Sequence, residues 1–173
     1  MKYKFTGETK EFEGITLNRI VCVTAFANIK EGDLGGWIEK ESNLSQDDNS
    51  WVSGNSRVID SRVSGDSEVS GDSEVHNSWV IENSKVSDSR VLNSTVRDSL
   101  VLNSKVHNSW VIDNSRVSGD SRVINSTVLN STVSGNSMVS GDSTVSGDSE
   151  VRDSLVIDSR VLNSKVSGDY GCS

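Results

Sequence analysis

The two histidines of this sequence are the side chains best suited to general acid–base catalysis, because an imidazole titrates near neutral pH. They are His76 and His107, and each stands in the same short segment, Val-His-Asn-Ser. Because the two histidines occupy the same position of a repeated segment, repetition alone explains their spacing. In addition, no long insertion near them could form a substrate pocket. The sequence therefore favours a protein that is not an enzyme.

Serine, aspartate and cysteine also occur in patterns that could carry chemistry. Ser-Gly-Asp triplets are frequent, but Gly and Asp tolerate the left-handed backbone of tight corners, so the triplets indicate turns rather than nucleophile motifs. Cys22 lies in an apolar run and Cys172 in the last three residues, which favours free thiols over a disulfide framework. No spacing typical of metal ligands or of a phosphate-binding loop occurs, so we expect neither a metal nor a cofactor.

A short repeat that begins at about residue 51 carries most of these side chains. Valine recurs every five or six residues from Val52 to Val166, in units of Ser-x-Val that end in Asp or Asn. Neighbouring side chains of a strand point to opposite faces, so Ser and Val share the inner face and the residue between them points outward. Low hydrophobicity (33%) and a net charge of −8 are otherwise typical of disorder, but the fixed period predicts an all-β solenoid.

The number of repeats in one coil follows from a longer internal match. The segment that starts at Val75 recurs from Val106, six repeats later, and six is divisible by three but not by four. A shorter match, Arg97–Val101 with Arg152–Val156, is ten repeats apart and conflicts with this count. We give more weight to the longer match and predict a three-sided parallel β-helix of about seven coils, roughly 35 Å long.

Three-unit coils distribute the outward side chains over three faces. The first face, which begins at Trp51, is mixed and solvated, and the second, which begins at Arg57 and Ile59, is both basic and apolar. The third combines two tryptophans, about 10 Å apart, with an aliphatic row, a pattern typical of an interface, although isoleucine also simply suits a strand. The predicted partner-binding residues are Trp79, Ile81, Thr95, Trp110, Ile112 and Leu129 on the third face and Arg90, Lys105 and Arg122 on the second.

The two ends of the chain differ. Residues 1–50 lack the repeat and contain apolar or alternating runs, which predict an N-terminal cap on a β-helix of residues 51–173. The last residues, from Val166 to Tyr170 and beyond, show no comparable cap. We therefore expect the C-terminal coil to expose strand edges and to form a homodimer through Val166 and Tyr170.

The repeat resembles that of the hexapeptide-repeat, left-handed parallel β-helix proteins, in which a small residue follows an aliphatic residue by four positions. Val63–Ser67 and Val139–Ser143 fit this pattern, and residues 32–39 with 43–45 resemble the opening of uncharacterised bacterial and prophage repeat proteins. This chain departs from the family in its five-residue units and in having Ser where Ala is usual. The resemblance implies a left-handed coil and, for many members, an acyltransferase with a histidine base and an acyl-carrying cofactor between subunits.

Three functions remain open. The first is a non-enzymatic scaffold that binds a protein partner and that, by the resemblance, is encoded by a phage. The acidic balance argues against direct nucleic-acid binding but suits the second, a phage counter-defence inhibitor that mimics nucleic acid. Acyl transfer is the third. With no apolar run that could be a signal peptide or membrane span, we expect a cytoplasmic protein without membrane contact. The carboxylates that could replace phosphates are Asp60, Asp66, Asp72, Asp142, Asp148, Asp153 and Asp158.

Overall fold

The computed structural model describes residues 1–168 and consists mainly of β-strands. The first strands in chain order are β1 (Tyr3–Phe12), β2 (Ile15–Cys22), β3 (Leu34–Ile38), β4 (Trp51–Val52), β5 (Arg57–Ile59), β6 (Arg62–Val63), β7 (Glu68–Ser70), β8 (Glu74–His76), β9 (Trp79–Ile81), β10 (Lys85–Ser87), β11 (Arg90–Leu92) and β12 (Thr95–Arg97). The remaining strands are β13 (Leu100–Leu102), β14 (Lys105–His107), β15 (Trp110–Ile112), β16 (Arg116–Ser118), β17 (Arg122–Ile124), β18 (Thr127–Leu129), β19 (Thr132–Ser134), β20 (Met138–Ser140), β21 (Thr144–Ser146), β22 (Glu150–Arg152), β23 (Leu155–Ile157), β24 (Arg160–Leu162) and β25 (Lys165–Ser167). A short 3-10 helix, Glu41–Asn43, joins the cap to the first coil.

Three sheets run along the molecule, and within the solenoid each strand pairs in parallel with the strand three positions later. The cap sheet is β1-β2-β3-β5-β8-β11-β14-β17-β20-β23, the serine sheet runs from β4 to β25 in steps of three, and the tryptophan sheet runs from β6 to β24. Val91 faces Val106 across one such pairing, which is a step of three repeats. The all-β, three-sided parallel solenoid is thus confirmed. The match of ten repeats does not correspond to a whole number of coils. The handedness of the solenoid stays a prediction.

The repeat valines form the core. Every one from Val52 to Val151 is at most 1% exposed. Two apolar residues of the N-terminal segment continue the same columns, because Ile38 pairs in parallel with Val58 and Leu44 forms a bridge to Val63. The stack therefore reaches back before residue 51 and has about eight turns. Burial of each valine contributes roughly 1.5 kcal/mol or more.

The inward serines form a second internal column beside the valines. Ser109 illustrates the pattern: its hydroxyl donates to the carbonyl of His107 at 2.7 Å and accepts the backbone N–H of Ser126, one coil later, at 3.1 Å. Similar bonds join Ser94 to Ser78 and Ser131 to Ser115. Each such hydroxyl thus satisfies itself and a buried N–H of the next coil, which avoids the cost of an unpaired buried group. The inward serines are therefore bonded both to backbone carbonyls and to serines of the neighbouring coils.

The corners between strands are left-handed turns made by Asn, Asp and Gly. Asn77, Asn93 and Asn108 have φ of 48–49°, and the side-chain amide of Asn77 donates to that of Asn93 at 2.7 Å. In the longer unit at Val63, Gly65 takes the left-handed conformation (φ 76°) in place of Asp66. The left-handed conformations confirm the predicted turns, and the amide bonds form ladders between coils.

The N-terminal cap covers one side of the first coils with an antiparallel hairpin, β1–β2, that continues the cap sheet. Tyr3 and Phe26 pack edge-on against Trp51, with ring centroids 6.5 and 5.7 Å away. Trp51 is 4% exposed, so its assignment to a solvated face was wrong, and Ile59, which was assigned to the outward second face, is only 1% exposed. The hairpin and the loop after it fold back over positions that are outward in later coils.

Within residues 1–168, no helix has the length and apolar character needed to cross a membrane.

Candidate functional site

The tryptophan sheet presents two outward columns of side chains, one on each side of its buried valines. We call each level of the stack a rung. The tryptophan column, which precedes the valines, is Arg62, Trp79, Thr95, Trp110, Thr127, Thr144 and Arg160. The flanking column, which follows the valines, is Ser64, Ile81, Arg97, Ile112, Leu129, Ser146 and Leu162.

Two tryptophans project from this sheet into solvent. Trp79 and Trp110 are each 60% exposed, whereas Trp37 and Trp51 of the capped end are 6% and 4% exposed. Thr95 pairs with Trp79 on one side and with Trp110 on the other, so the indoles are two rungs, or about 10 Å, apart. A short side chain thus separates two large ones and leaves a gap one rung high between the indoles.

The flanking column makes this face largely apolar. Ile81, Ile112 and Leu129 are partly buried beside the tryptophan column. The one charge between them, Arg97, is paired with the corner carboxylate of Asp113 at 2.8 Å. The face therefore presents mainly aromatic and aliphatic surface, with the charge of Arg97 already paired.

The predicted residues of the third face thus come together on one sheet. Trp79, Thr95 and Trp110 occupy consecutive rungs, with Ile81, Ile112 and Leu129 beside them. The predicted set omitted Thr127 and Arg97, which lie in the same two columns. The three-unit register that located the tryptophans also locates these two residues, so the sequence held the signal.

The three predicted basic residues lie on the cap sheet, around a corner from the tryptophans. Arg90, Lys105 and Arg122 occupy consecutive rungs and line an open groove of about 420 Å³ together with Asp88 and Asp120. Such a groove could accept an anionic group. It does not form one continuous surface with the tryptophan column, because a flat partner contacts one side of a three-sided prism at a time.

A buried carboxylate that pairs with Arg90 was not foreseen. The Glu74 carboxylate is only 5% exposed and is paired with Arg57 at 3.5 Å and with Arg90 at 3.1 Å. Arg57 in turn lies over the Phe12 ring of the cap hairpin, 4.2 Å from its centroid. Arg90 is thus already engaged with a carboxylate, which leaves Lys105 and Arg122 as the more available cations of the groove.

The two histidines lie in β8 and β14 of the cap sheet. Each pairs with the rung of Leu92, so His76 and His107 are two rungs apart at equivalent positions. Neither is among the side chains that line the groove beside Arg90. The groove therefore gives no support to the acyltransferase hypothesis, which stays untested.

The corner carboxylates named as phosphate substitutes are spread over three edges of the prism. Asp60, Asp142 and Asp158 follow strands of the cap sheet, Asp66 and Asp148 follow the tryptophan sheet, and Asp72 and Asp153 follow the serine sheet. Asn residues interrupt every row. Each edge therefore carries a mixed amide and carboxylate ladder rather than a continuous line of charge.

Of the two residues predicted at the dimer end, Val166 lies in β25, the last strand of the serine sheet, and is partly buried. Tyr170 lies outside the described residues. Pairing through this end stays a prediction.

A different cluster, in the cap, escaped sequence reasoning altogether. The Lys2 ammonium is buried and donates to the carbonyls of Asp48 and Ser50 at 2.9 and 2.7 Å, and it lies 5.0 Å from the Phe26 ring centroid. Burial lowers the pKa of Lys2, and the Asp48 charge partly opposes this effect. The hydrogen bonds of Lys2 span more than forty residues of sequence, so no local pattern indicates them.

No protein-family model matches the chain, and no curated protein matches it either. The parallel β-solenoid is therefore established from the structure alone, and the resemblance to hexapeptide-repeat proteins remains a resemblance of short motifs.

Proposed function

We propose that this protein is a non-enzymatic binding module that contacts a protein partner through the tryptophan sheet. The observation that carries the proposal is the pair of indoles at Trp79 and Trp110, each 60% exposed two rungs apart on one flat sheet. Tryptophan is among the residues that contribute most to binding when it is desolvated at the centre of an interface.

The rigidity of the face supports this function. The rungs below and above each indole are fixed by parallel pairing, and Val80, Val96 and Val111 beneath them are fully buried. A preformed backbone loses little conformational entropy on association, so more of the contact energy is available for affinity.

Nucleic-acid mimicry is the competing function, and it makes a different prediction about salt. Attraction between exposed charges weakens as ionic strength rises, whereas burial of indole surface does not. The distribution of carboxylates over three edges favours the tryptophan sheet over a charged row as the contact surface.

A capture experiment tests the proposal. The full chain is immobilised, proteins retained from a lysate of the source cells are identified at low and high salt, and the experiment is repeated with Trp79→Ala/Trp110→Ala. The matched control is Leu100→Ala/Arg116→Ala, which removes two side chains from the outward column of the serine sheet. We expect specific retention that survives high salt, persists in the control and is lost in the tryptophan variant. Retention that high salt abolishes while the tryptophan variant keeps it would support mimicry instead.

A further inference from the structure

The outward face of the tryptophan sheet is complementary to itself. Along the tryptophan column, large and small side chains alternate over four consecutive rungs, in the order Trp79, Thr95, Trp110, Thr127. A two-fold axis parallel to the strands, placed between the rungs of Thr95 and Trp110, sets each tryptophan of one copy opposite a threonine of the other. An isologous interface of this kind uses one surface patch on both subunits.

We infer that a second copy of this chain is the partner of this face, in an antiparallel, sheet-to-sheet dimer. This inference rests on the proposed function, because it names the occupant of the same surface. The indole of Trp110 from one copy enters the gap over Thr95 of the other, between Trp79 and Trp110 of that copy.

The spacing of the rungs suits the aromatic contacts. Neighbouring rungs are about 4.8 Å apart, so an indole inserted between two others lies about 5 Å from each, within the roughly 4.5–7 Å range of favourable aromatic pairs. The same holds for Trp110 of the first copy, which enters between two indoles of the second. Four indoles then form one continuous stack along the interface.

The flanking column agrees with this register. Ile81 lies opposite Leu129 of the other copy, Arg97 lies opposite Ile112, and Ser64 lies opposite Ser146. No like charges meet, since Arg62 lies opposite Thr144 and Arg97 is already paired with Asp113. The contact is free of the like-charge repulsion that opposes a wrong register.

The outward columns of the other sheets lack this alternation. The cap sheet places Arg90, Lys105 and Arg122 on consecutive rungs, so the same symmetry operation there would bring like charges together. In the rungs from Glu68 to Arg116, the serine sheet has large apolar outward side chains, Leu100 and Leu102, on a single rung only, so large and small side chains do not alternate there. Self-association is therefore assigned to the tryptophan sheet.

The size of the face sets the expected affinity. Six rungs, from Arg62 to Thr144, extend over about 25 Å, with a width of about 10 Å for three residues. A contact of these dimensions covers about 250 Å² on each copy, or about 500 Å² in total, which is less than the roughly 1,200 Å² of stable specific interfaces. We therefore expect a weak dimer, with a dissociation constant of about 100 µM.

Sedimentation velocity of the full chain from about 1 µM to about 300 µM tests the inference. We expect conversion from monomer to dimer over this range, accompanied by a shift of tryptophan emission to shorter wavelength as Trp79 and Trp110 leave water. Trp79→Ala/Trp110→Ala removes the indoles, and Thr95→Trp keeps both indoles but fills the gap that the partner's Trp110 enters. Both variants should remain monomeric at about 300 µM, with circular dichroism like that of the wild type.

The matched control is Thr132→Trp, the same change on the serine sheet, where Thr132 pairs with Arg116 and Glu150. It should dimerise like the wild type. A wild type that stays monomeric at about 300 µM, or a dimer that persists in Thr95→Trp, overturns the inference. The proposed function fails separately, if the capture experiment retains no protein through Trp79 and Trp110.

Discussion

Trp37 and Trp51 are buried at the capped end of the molecule, whereas Trp79 and Trp110 stand exposed on the solenoid. The difference reflects two ways of building a core. In the cap, the rings of Tyr3, Phe26 and Trp51 and the Lys2 ammonium meet in one irregular cluster, each with its own partners. In the solenoid the core needs only valine and serine, so larger side chains are left for the outside.

This contrast predicts where a substitution is costly. A residue of the cap has no equivalent elsewhere in the chain, whereas a repeat position is supported by nearly identical rungs above and below. An outward side chain of the solenoid can therefore change without affecting the fold, and the following predictions test that separation in order of expected effect.

The largest effect is expected from Trp51→Ala. It removes a 4% exposed indole that contacts Tyr3 and Phe26, and it should lower the free energy of unfolding by about 3 kcal/mol or more. The control is Trp110→Ala, which removes the same side chain from the surface and should change stability by no more than about 0.5 kcal/mol at monomeric concentration. Urea denaturation of both variants measures the difference, and equal losses would contradict the contrast between cap and solenoid.

An inward serine of the solenoid should have an intermediate effect. Ser109→Ala leaves the buried N–H of Ser126 without its acceptor, so we expect a loss of about 1–3 kcal/mol in the free energy of unfolding. Ser159→Ala removes an exposed hydroxyl that, among residues 1–168, bonds only to the Ile157 carbonyl, and it should cost less. Hydrogen exchange of the Ser126 amide, which should become faster in Ser109→Ala alone, gives a local readout.

Acid should weaken the cap before the solenoid. Burial acts to raise the pKa of Asp48, but hydrogen bonds from Ser50, Ser45 and the Gly65 N–H outweigh it and lower the pKa to about 2, from an ordinary value of 3.8. A carboxyl with a lowered pKa stabilises the fold above its unfolded pKa, so this stabilisation is complete above about pH 4 and is lost as the pH falls towards 2.

The contribution of Asp48 at neutral pH is about 1–2 kcal/mol, after allowance for its partial exposure. Asp48→Asn should remove most of the loss of stability between about pH 4 and pH 2, which thermal melts at several pH values would detect. An unchanged acid profile in this variant would show that other carboxylates control it.

The smallest effect, and a favourable one, is expected at Glu82. Nine of the repeats have six residues, and in seven of them Gly occupies the left-handed corner position two residues after the valine. Glu82 occupies the same position in its repeat and adopts φ 65° with a full side chain. Glu82→Gly removes that strain and also the carboxyl contact with Asp98 that raises the pKa of Glu82. We expect the melting temperature to rise by roughly 1–2 °C. The equivalent change Asp113→Gly also breaks the ion pair with Arg97 and should bring no gain.

The sequence was sufficient for the solenoid because its information is local and periodic. The recurrence of the Val75 segment at Val106 determines three repeats per coil, and from that register the rungs of Trp79, Thr95 and Trp110 follow. The same reasoning treated Trp51 and Ile59 as outward residues. Their burial depends on a hairpin that docks from residues 3–22, and such a contact between distant, non-repeating segments has no period to reveal it.

The first turn was likewise hidden by its sequence. Ile38 and Leu44 take the places of repeat valines without the Ser-x-Val spacing, so only their pairing with Val58 and Val63 identifies them as part of the stack. The Lys2 ammonium was also unforeseen, because a lysine beside the N-terminus is ordinarily solvated. In each case the structure of the cap depends on individual contacts between distant residues, whereas the structure of the solenoid follows from the periodic Ser-x-Val repeat.

The recurrence of the Val75 segment at Val106 also bears on how such a chain can change its length. The two copies are two whole coils apart, and Trp79 and Trp110 are their corresponding residues. A tandem duplication of those two coils would add a third indole at the same interval, with a threonine between neighbouring indoles as before, and would leave every valine above another valine. Gene-level gain or loss of coil pairs could therefore adjust the strength of the tryptophan surface in discrete steps while the fold stays the same.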